Sequence, residues 1–254
     1  MRLWLLTAAL IFGICRSADG IIIRHDIDDN RYTVHNEMLP ALVTFTAKHN
    51  DKHYPVGSGT YIGEGWVLTA AHVANFLEAS DRAEIQGENL DIKAVYTHEK
   101  WRDRQFGYDI ALVKVSVPAK PVPAVVMFKH QLSEGDIINI TGKGDTGNGK
   151  DGIVDAPMQL RFAQNKVVTA KGQWVSFDFS HPNDNALPLE GIGGGGDSGS
   201  PAYVVKDGVA HIVGVSSWQD TQATNWQQGL YGAVDYYTHV NHFRDWILQH
   251  IEKS

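Results

Sequence analysis

Three short stretches of the chain carry residues that can do chemistry together. In "WVLTAAHV" (66–73) a run of small residues leads to His72. In "YDIALVKV" (108–115) Asp109 opens an apolar run. In "GGGGDSGSP" (193–201) Ser198 sits in a glycine-rich turn. A serine hydroxyl is a weak nucleophile until a base takes its proton. An imidazole, with an ordinary pKa of about 6.5, can accept that proton at neutral pH and return it to a leaving amine. A carboxylate behind the imidazole fixes its tautomer and stabilises the imidazolium. The glycines let the backbone bend sharply and aim N–H groups at a developing negative charge, where one donor is worth roughly 3–4 kcal/mol. Taken singly, each residue has a plainer reading: a structural histidine, a strand-end aspartate, a loop. Taken in order, with these neighbours, they are the parts of an acyl-transfer site.

Such a site needs a frame. β-rich or alternating runs occur at 41–47, 59–62, 66–70, 92–96, 110–115, 137–141, 159–168, 174–179, 202–205 and 212–217. Turn residues separate them, so the pattern predicts an all-β barrel or sandwich. "GKGDTGNGKDG" (142–152) has no periodicity and reads as a mobile loop. From Tyr236 onward, Val240, Phe243, Trp246, Ile247 and Ile251 recur at helical spacing and predict one C-terminal helix.

The chain has 254 residues, 43% of them hydrophobic and 20% charged, with a formal net charge of -7. That balance favours a globular domain and gives no footing for nucleic acid or an anionic membrane. Residues 1–20 have the layout of a secretory signal peptide: a positive start, an apolar stretch too short to span a bilayer, then small residues at Ala18 and Gly20. Cleavage after Gly20 leaves Ile21 as the first residue of a 21–254 domain, and no membrane anchor is expected. The single cysteine, Cys15, falls in the removed segment, which excludes a cysteine nucleophile and a cysteine-ligated metal. His25, Asp26, Asp28 and Asp29 match no ligand spacing, and His239 and His242 lack a third ligand, so no metal or cofactor is expected.

"TAAH", "DIAL" and "GDSG-P" resemble, in order, the three signature blocks of the chymotrypsin/trypsin-like serine peptidases, here a secreted, bacterial-type member without disulfides. "GSGTYIGEGWVLTAAH", "GVSSW" (214–218) and "YYTHVNHFRDWI" extend the resemblance over essentially 21–251. It implies two six-stranded antiparallel β-barrels, approximately 21–125 and 126–254, a cleft between them and a closing C-terminal α-helix. It implies His72 as general base, Asp109 as its orienting acid and Ser198 as nucleophile. The N–H groups of Gly196 and Ser198 become the oxyanion hole, and Ser217 and Trp218 line the substrate-backbone strand. Asp197 is expected to pair with a newly formed N-terminal ammonium, here that of Ile21, although Ile23 and Arg24 stand where the family has glycines; the plainer alternative is an internal partner for Asp197. The implied partners are protein or peptide substrates and protein inhibitors, met by a monomer in the periplasm or outside the cell.

The specificity pocket is less determined. Ile192 falls at the position of the pocket floor, which favours aromatic or aliphatic side chains. Asp235 reaches the same pocket in the family and favours basic ones. Gln219 stands where a glycine normally keeps the pocket open. Ser200 replaces a glycine beside Ser198. The competing reading of the whole chain is a binding or regulatory protein that kept the fold and lost or never gained activity; against it, all the residues the chemistry needs are present.

Overall fold

The computed structural model describes residues 20–33, 39–155 and 159–252; the expected signal segment lies outside them except for Gly20. A short strand, β1 (Ile22–Ile23), comes first. Then six strands close into a barrel: β2 (Leu42–His49), β3 (Lys52–Gly63), β4 (Trp66–Thr69), β5 (Arg82–Ile85), β6 (Glu88–Thr97) and β7 (Ala111–Val115). Between β4 and β5 a single helical turn, α1 (Ala71–Ala74), carries His72. The core of this half contains Phe45, Val67, Leu68, Ile85 and Leu112, all essentially without solvent exposure. The runs at 41–47, 59–62, 66–70, 92–96 and 110–115 fall on β2, β3, β4, β6 and β7; β5, whose side chains run half-buried, buried, half-buried, buried, is the barrel strand they leave out.

The second half holds β8 (Val126–Met127), β9 (Ile137–Gly142), β10 (Thr146–Asn148), β11 (Gly152–Asp155), β12 (Arg161–Lys166), β13 (Thr169–Lys171), β14 (Trp174–Asp178), β15 (Gly191–Ile192), β16 (Pro201–Lys206), β17 (Val209–Asp220) and β18 (Val234–His239). Its main sheet runs β12-β9-β16-β17-β18-β14-β13. Its two edges, β12 and β13, are separated only by Val167 and Val168, so they are the two arms of one bent strand. The sheet therefore curls into a six-strand circuit that chain continuity closes, whereas the first barrel is closed by its hydrogen-bonded ladder. Two expectations change here. The stretch 142–152 contains β10 and the start of β11: β10 pairs in parallel with β1, and Gly149 donates its N–H to the Ile23 carbonyl at 3.0 Å. Glycines and polar residues hid these strands because their ladder is made by backbone alone. The chain from Tyr236 is still strand as far as His239, and the helix, α2 (Arg244–Glu252), begins later. The helical spacing arose because Val240 and Phe243 bury themselves from the intervening turn.

The resemblance implies a family normally stapled by disulfides, and here packing holds one such place. A Cβ built on Gly57 of β3 would lie 2.7 and 2.8 Å from the two γ-methyls of Val73 on α1. The two residues fill one space between β3 and the turn that carries His72. Gly57→Ala is expected to destabilise the protein by about 1–3 kcal/mol through overpacking. Adding Val73→Ala should recover part of that loss, because it vacates the contested volume. Urea unfolding of both single variants and the double variant measures the coupling; strictly additive losses would contradict it.

Candidate active site

The ladder between β4 and β7 brings the first two chemical residues together. Thr69 is paired with Ala111, so the residues just beyond each strand end face one another: α1 after β4, Asp109 before β7. Asp109 is 3% exposed. Its Oδ1 accepts the backbone N–H of His72 at 2.8 Å, and its Oδ2 lies 2.7 Å from His72 Nδ1. A carboxylate offers only lone pairs, so Nδ1 is the donor and Nε2 is left with a lone pair facing away. Ser217 Oγ donates to the same Oδ2 at 2.5 Å, and Thr238 Oγ1 donates to the Asp109 carbonyl at 2.7 Å. The sequence placed Ser217 only on the substrate strand; its part in holding Asp109 is visible only in the fold.

Ser198 comes from the second half. Pro201 of β16 pairs with Val215 of β17, which sets the glycine-rich turn beside residues 216–219. Ser198 is half-buried at the cleft, whereas Ser200 is fully buried and out of reach of anything in solution. Gly196 has φ +86°, a conformation that favours glycine. Among the described residues the N–H groups of Gly196 and Ser198 have no acceptor, so both are available as donors.

Asp197, the residue between them, is fully buried. Its Oδ2 accepts from the N of Ile21 and the N of Gly194, both at 2.9 Å, and its Oδ1 accepts from Gly144 N at 2.7 Å. Burial pushes its pKa up to about 6, while the three N–H groups oppose that rise. Ile21 has φ +69°, a region that β-branched residues avoid. Gly20 before it is buried beside the Gly142 carbonyl.

Beside Ser198 lies a cavity of about 110 Å³ lined by Gly193, Gly194, Ser198, Ser217, Gln219 and Asp235, among others. Ile192, expected at its floor, is not part of this lining. It is fully buried, paired with Ile22 across the β1–β15 ladder, and belongs to the core that also contains Ile21. Gly193, one residue on, forms the wall instead. Asp235 is 4% exposed; its Oδ2 accepts from Gly193 N at 2.7 Å and its Oδ1 from Gln219 Nε2 at 2.9 Å. Burial raises its pKa to about 7, against the pull of these two donors and helped by the nearby Asp197 charge.

On the other side of His72 a second cavity of about 210 Å³ is lined by Trp101, Asp103, Arg104, Phe106 and Trp218. Trp218 is stacked between Phe106, at 4.3 Å between ring centroids, and Tyr236, at 4.1 Å. Trp174 meets Trp218 and Tyr236 edge-on. Sequence reasoning singled out Trp218 but not Phe106, which lies in a loop without periodicity and carries no local signal.

A family model described as Trypsin matches residues 27–247. Among curated proteins, the chain is 28% identical to "Trypsin" of Phaedon cochleariae, over 76% of this chain and 78% of that protein. It is 30% identical to "Complement C1s subcomponent" of Rattus norvegicus, over 79% of this chain and 33% of that protein. It is 29% identical to "Calcium-dependent serine proteinase" of Mesocricetus auratus, over 79% and 32% respectively. The chain thus spans about a third of the length of the latter two. Among the described residues no helix is long and apolar enough to cross a membrane.

The buried Asp235 makes a stability prediction. Its ordinary pKa is about 4, and in the fold it is raised to about 7. Between those values the folded protein holds a proton that the unfolded chain has released. Stability from this group is therefore lost as the pH rises from about 4 to about 7. In Asp235→Asn the fall in Tm across this range is expected to be shallower than in the unaltered protein. Calorimetry at closely spaced pH values reads it, and equal slopes would contradict it.

Proposed function

Because the chain belongs to the trypsin family of serine-type endopeptidases, we propose that it is secreted and cleaves peptide bonds with His72, Asp109 and Ser198 through an acyl-enzyme. The observation that carries this reading is the pair of hydrogen bonds from His72 to Asp109, which leaves Nε2 with its lone pair, while Ser217, which donates to the same Asp109 oxygen, lines one cavity with Ser198. Nε2 takes the Ser198 proton as Oγ attacks the substrate carbonyl. The imidazolium then gives that proton to the leaving amine, and its charge is stabilised by Asp109. The carbonyl oxygen becomes an anion that the N–H groups of Gly196 and Ser198 receive. Water, activated by the same imidazole, releases the acyl group from Ser198 and restores the hydroxyl.

Residues 1–20 act as the signal peptide in this reading, and removing them completes the site. Cleavage between Gly20 and Ile21 turns a neutral N–H, already 2.9 Å from Asp197, into an ammonium. The buried carboxylate then gains a cation in place of an amide, and the φ constraint on Ile21 disappears with the peptide bond. The turn that presents Gly196 and Ser198 is held by that pair. Asp235 gives the primary pocket an acid, which favours lysine or arginine at P1, the residue before the cleaved bond. Side chains further upstream run along Trp218 and Phe106.

Ser198→Ala is expected to abolish both chromogenic-peptide hydrolysis and labelling by a fluorophosphonate. Asp109→Asn should lower kcat by about four orders of magnitude, as in triads of this kind, with folding intact by circular dichroism. Retained labelling in Ser198→Ala would overturn the assignment. Mass spectrometry of the active, secreted protein should find Ile21 as its first residue. Active protein that begins at Ser17 or Ala18 would exclude the ammonium pairing.

A further inference from the structure

We propose that Gln219 is a displaceable cap on the Asp235 carboxylate, standing where the charged end of a lysine or arginine P1 side chain binds, and that it sets how strongly such substrates are taken. This rests on the endopeptidase reading above and concerns the substrate class of the same pocket.

The cap is tied at three points. Gln219 Nε2 donates to Asp235 Oδ1 at 2.9 Å and to the Gly193 carbonyl at 3.1 Å, and its Oε1 accepts from Gly229 N at 3.2 Å. One carboxamide therefore bridges β18, the glycine-rich turn and the loop ahead of β18. Both oxygens of Asp235 are occupied, Oδ1 by Gln219 and Oδ2 by Gly193 N. Both donors are neutral, and among the described residues no cation pairs with this buried acid. A buried carboxylate gains more from an ammonium or guanidinium than from an amide, because charge–charge attraction adds to the hydrogen bond. The pocket thus holds an acid that lacks its best partner, behind a neutral stand-in.

Of the two donors on Asp235, one is the backbone N–H of Gly193, so Gln219 is the one that can yield. Gly193, Gly194 and Gly195 contribute only backbone. Trp218 is clamped between two aromatic rings. Binding a basic side chain is then an exchange. Gln219 releases Asp235, Gly193 and Gly229 and swings toward the mouth, while the substrate cation takes its place on Oδ1. An apolar P1 side chain gains nothing by this exchange, because it would strip the carboxylate of a donor and supply none. A small P1 side chain has no need of it.

The test uses the secreted protein and its Gln219→Gly and Gln219→Ala variants. Active sites are counted by fluorophosphonate labelling, and kcat/KM is measured on peptides with P1 Arg, Lys, Phe and Ala. In Gln219→Gly the ratio of Arg to Ala kcat/KM is expected to rise by about tenfold or more. Inhibition by benzamidine, a small amidinium, should tighten in parallel. Gln219→Ala should follow in the same direction, and covers the case in which glycine in β17 impairs folding. Asp235→Asn added to either variant should remove the gain. An Arg-to-Ala ratio unchanged in both Gln219 variants, with labelling intact, would overturn the cap. So would a gain for Phe as large as that for Arg, which would make Gln219 a purely steric block. Failure of every form to label would instead refute the endopeptidase reading, and this inference with it.

Discussion

The arrangement around Ser198 depends on one buried negative charge. Asp197 is fully enclosed, and an enclosed carboxylate is tolerated only where donors replace the water it has lost. Its three donors come from segments far apart in sequence: Ile21 just before β1, Gly144 after β9, and Gly194 within the turn itself. None of these can move without leaving the charge short of a partner. The turn is therefore fixed from both sides, and the N–H groups of Gly196 and Ser198 point where they do as a consequence.

A second buried acid, Asp235, lies close by, and the charge of Asp197 helps to raise its pKa. They solve the same problem differently. Asp197 is met by three backbone N–H groups. Asp235 faces the cavity, and a backbone N–H and a side-chain amide occupy its two oxygens. Asp109 is a third solution: it sits at the barrel end with His72, Ser217 and a backbone N–H arranged around its two oxygens.

What the sequence shows of this is uneven, for physical reasons. Most barrel strands are legible because they are short apolar, β-rich runs set between turn residues: β4 and β7 are buried on both faces, while the polar, short β5 gives no such run. His72, Asp109 and Ser198 are legible because their neighbours are constrained as tightly as they are: small residues before His72, an apolar strand after Asp109, glycines around Ser198. β10 and β11 are hidden because β10 pairs with β1 and β11 with β10 through backbone, to which side-chain polarity is indifferent. Ile192 misleads because counting back from Ser198 finds the right segment while the pleat turns that residue into the core and gives the cavity to Gly193. Phe106 and the support that Ser217 gives to Asp109 are tertiary facts, created by loops meeting across the cleft.

The same view explains how the site holds together without disulfides. His72 and Asp109 belong to the first barrel, Ser198 and Ser217 to the second half, and chemistry needs them in fixed register. Ser58 of β3 donates its N–H to the Ser198 carbonyl at 2.7 Å. Ser217 and Thr238 reach from the second half to Asp109, and Gln173 accepts from Tyr108 N at 2.7 Å. Phe243 and Ile247, at the C-terminal end of the chain, are buried in the core of the first barrel. Each of these hydrogen bonds involves a residue beside or within the chemical group, and that of Thr238 is buried enough that losing it would strand a polar atom. Joining the halves and holding Asp109 in place are therefore one constraint: whatever separates the halves also breaks the shell of Asp109.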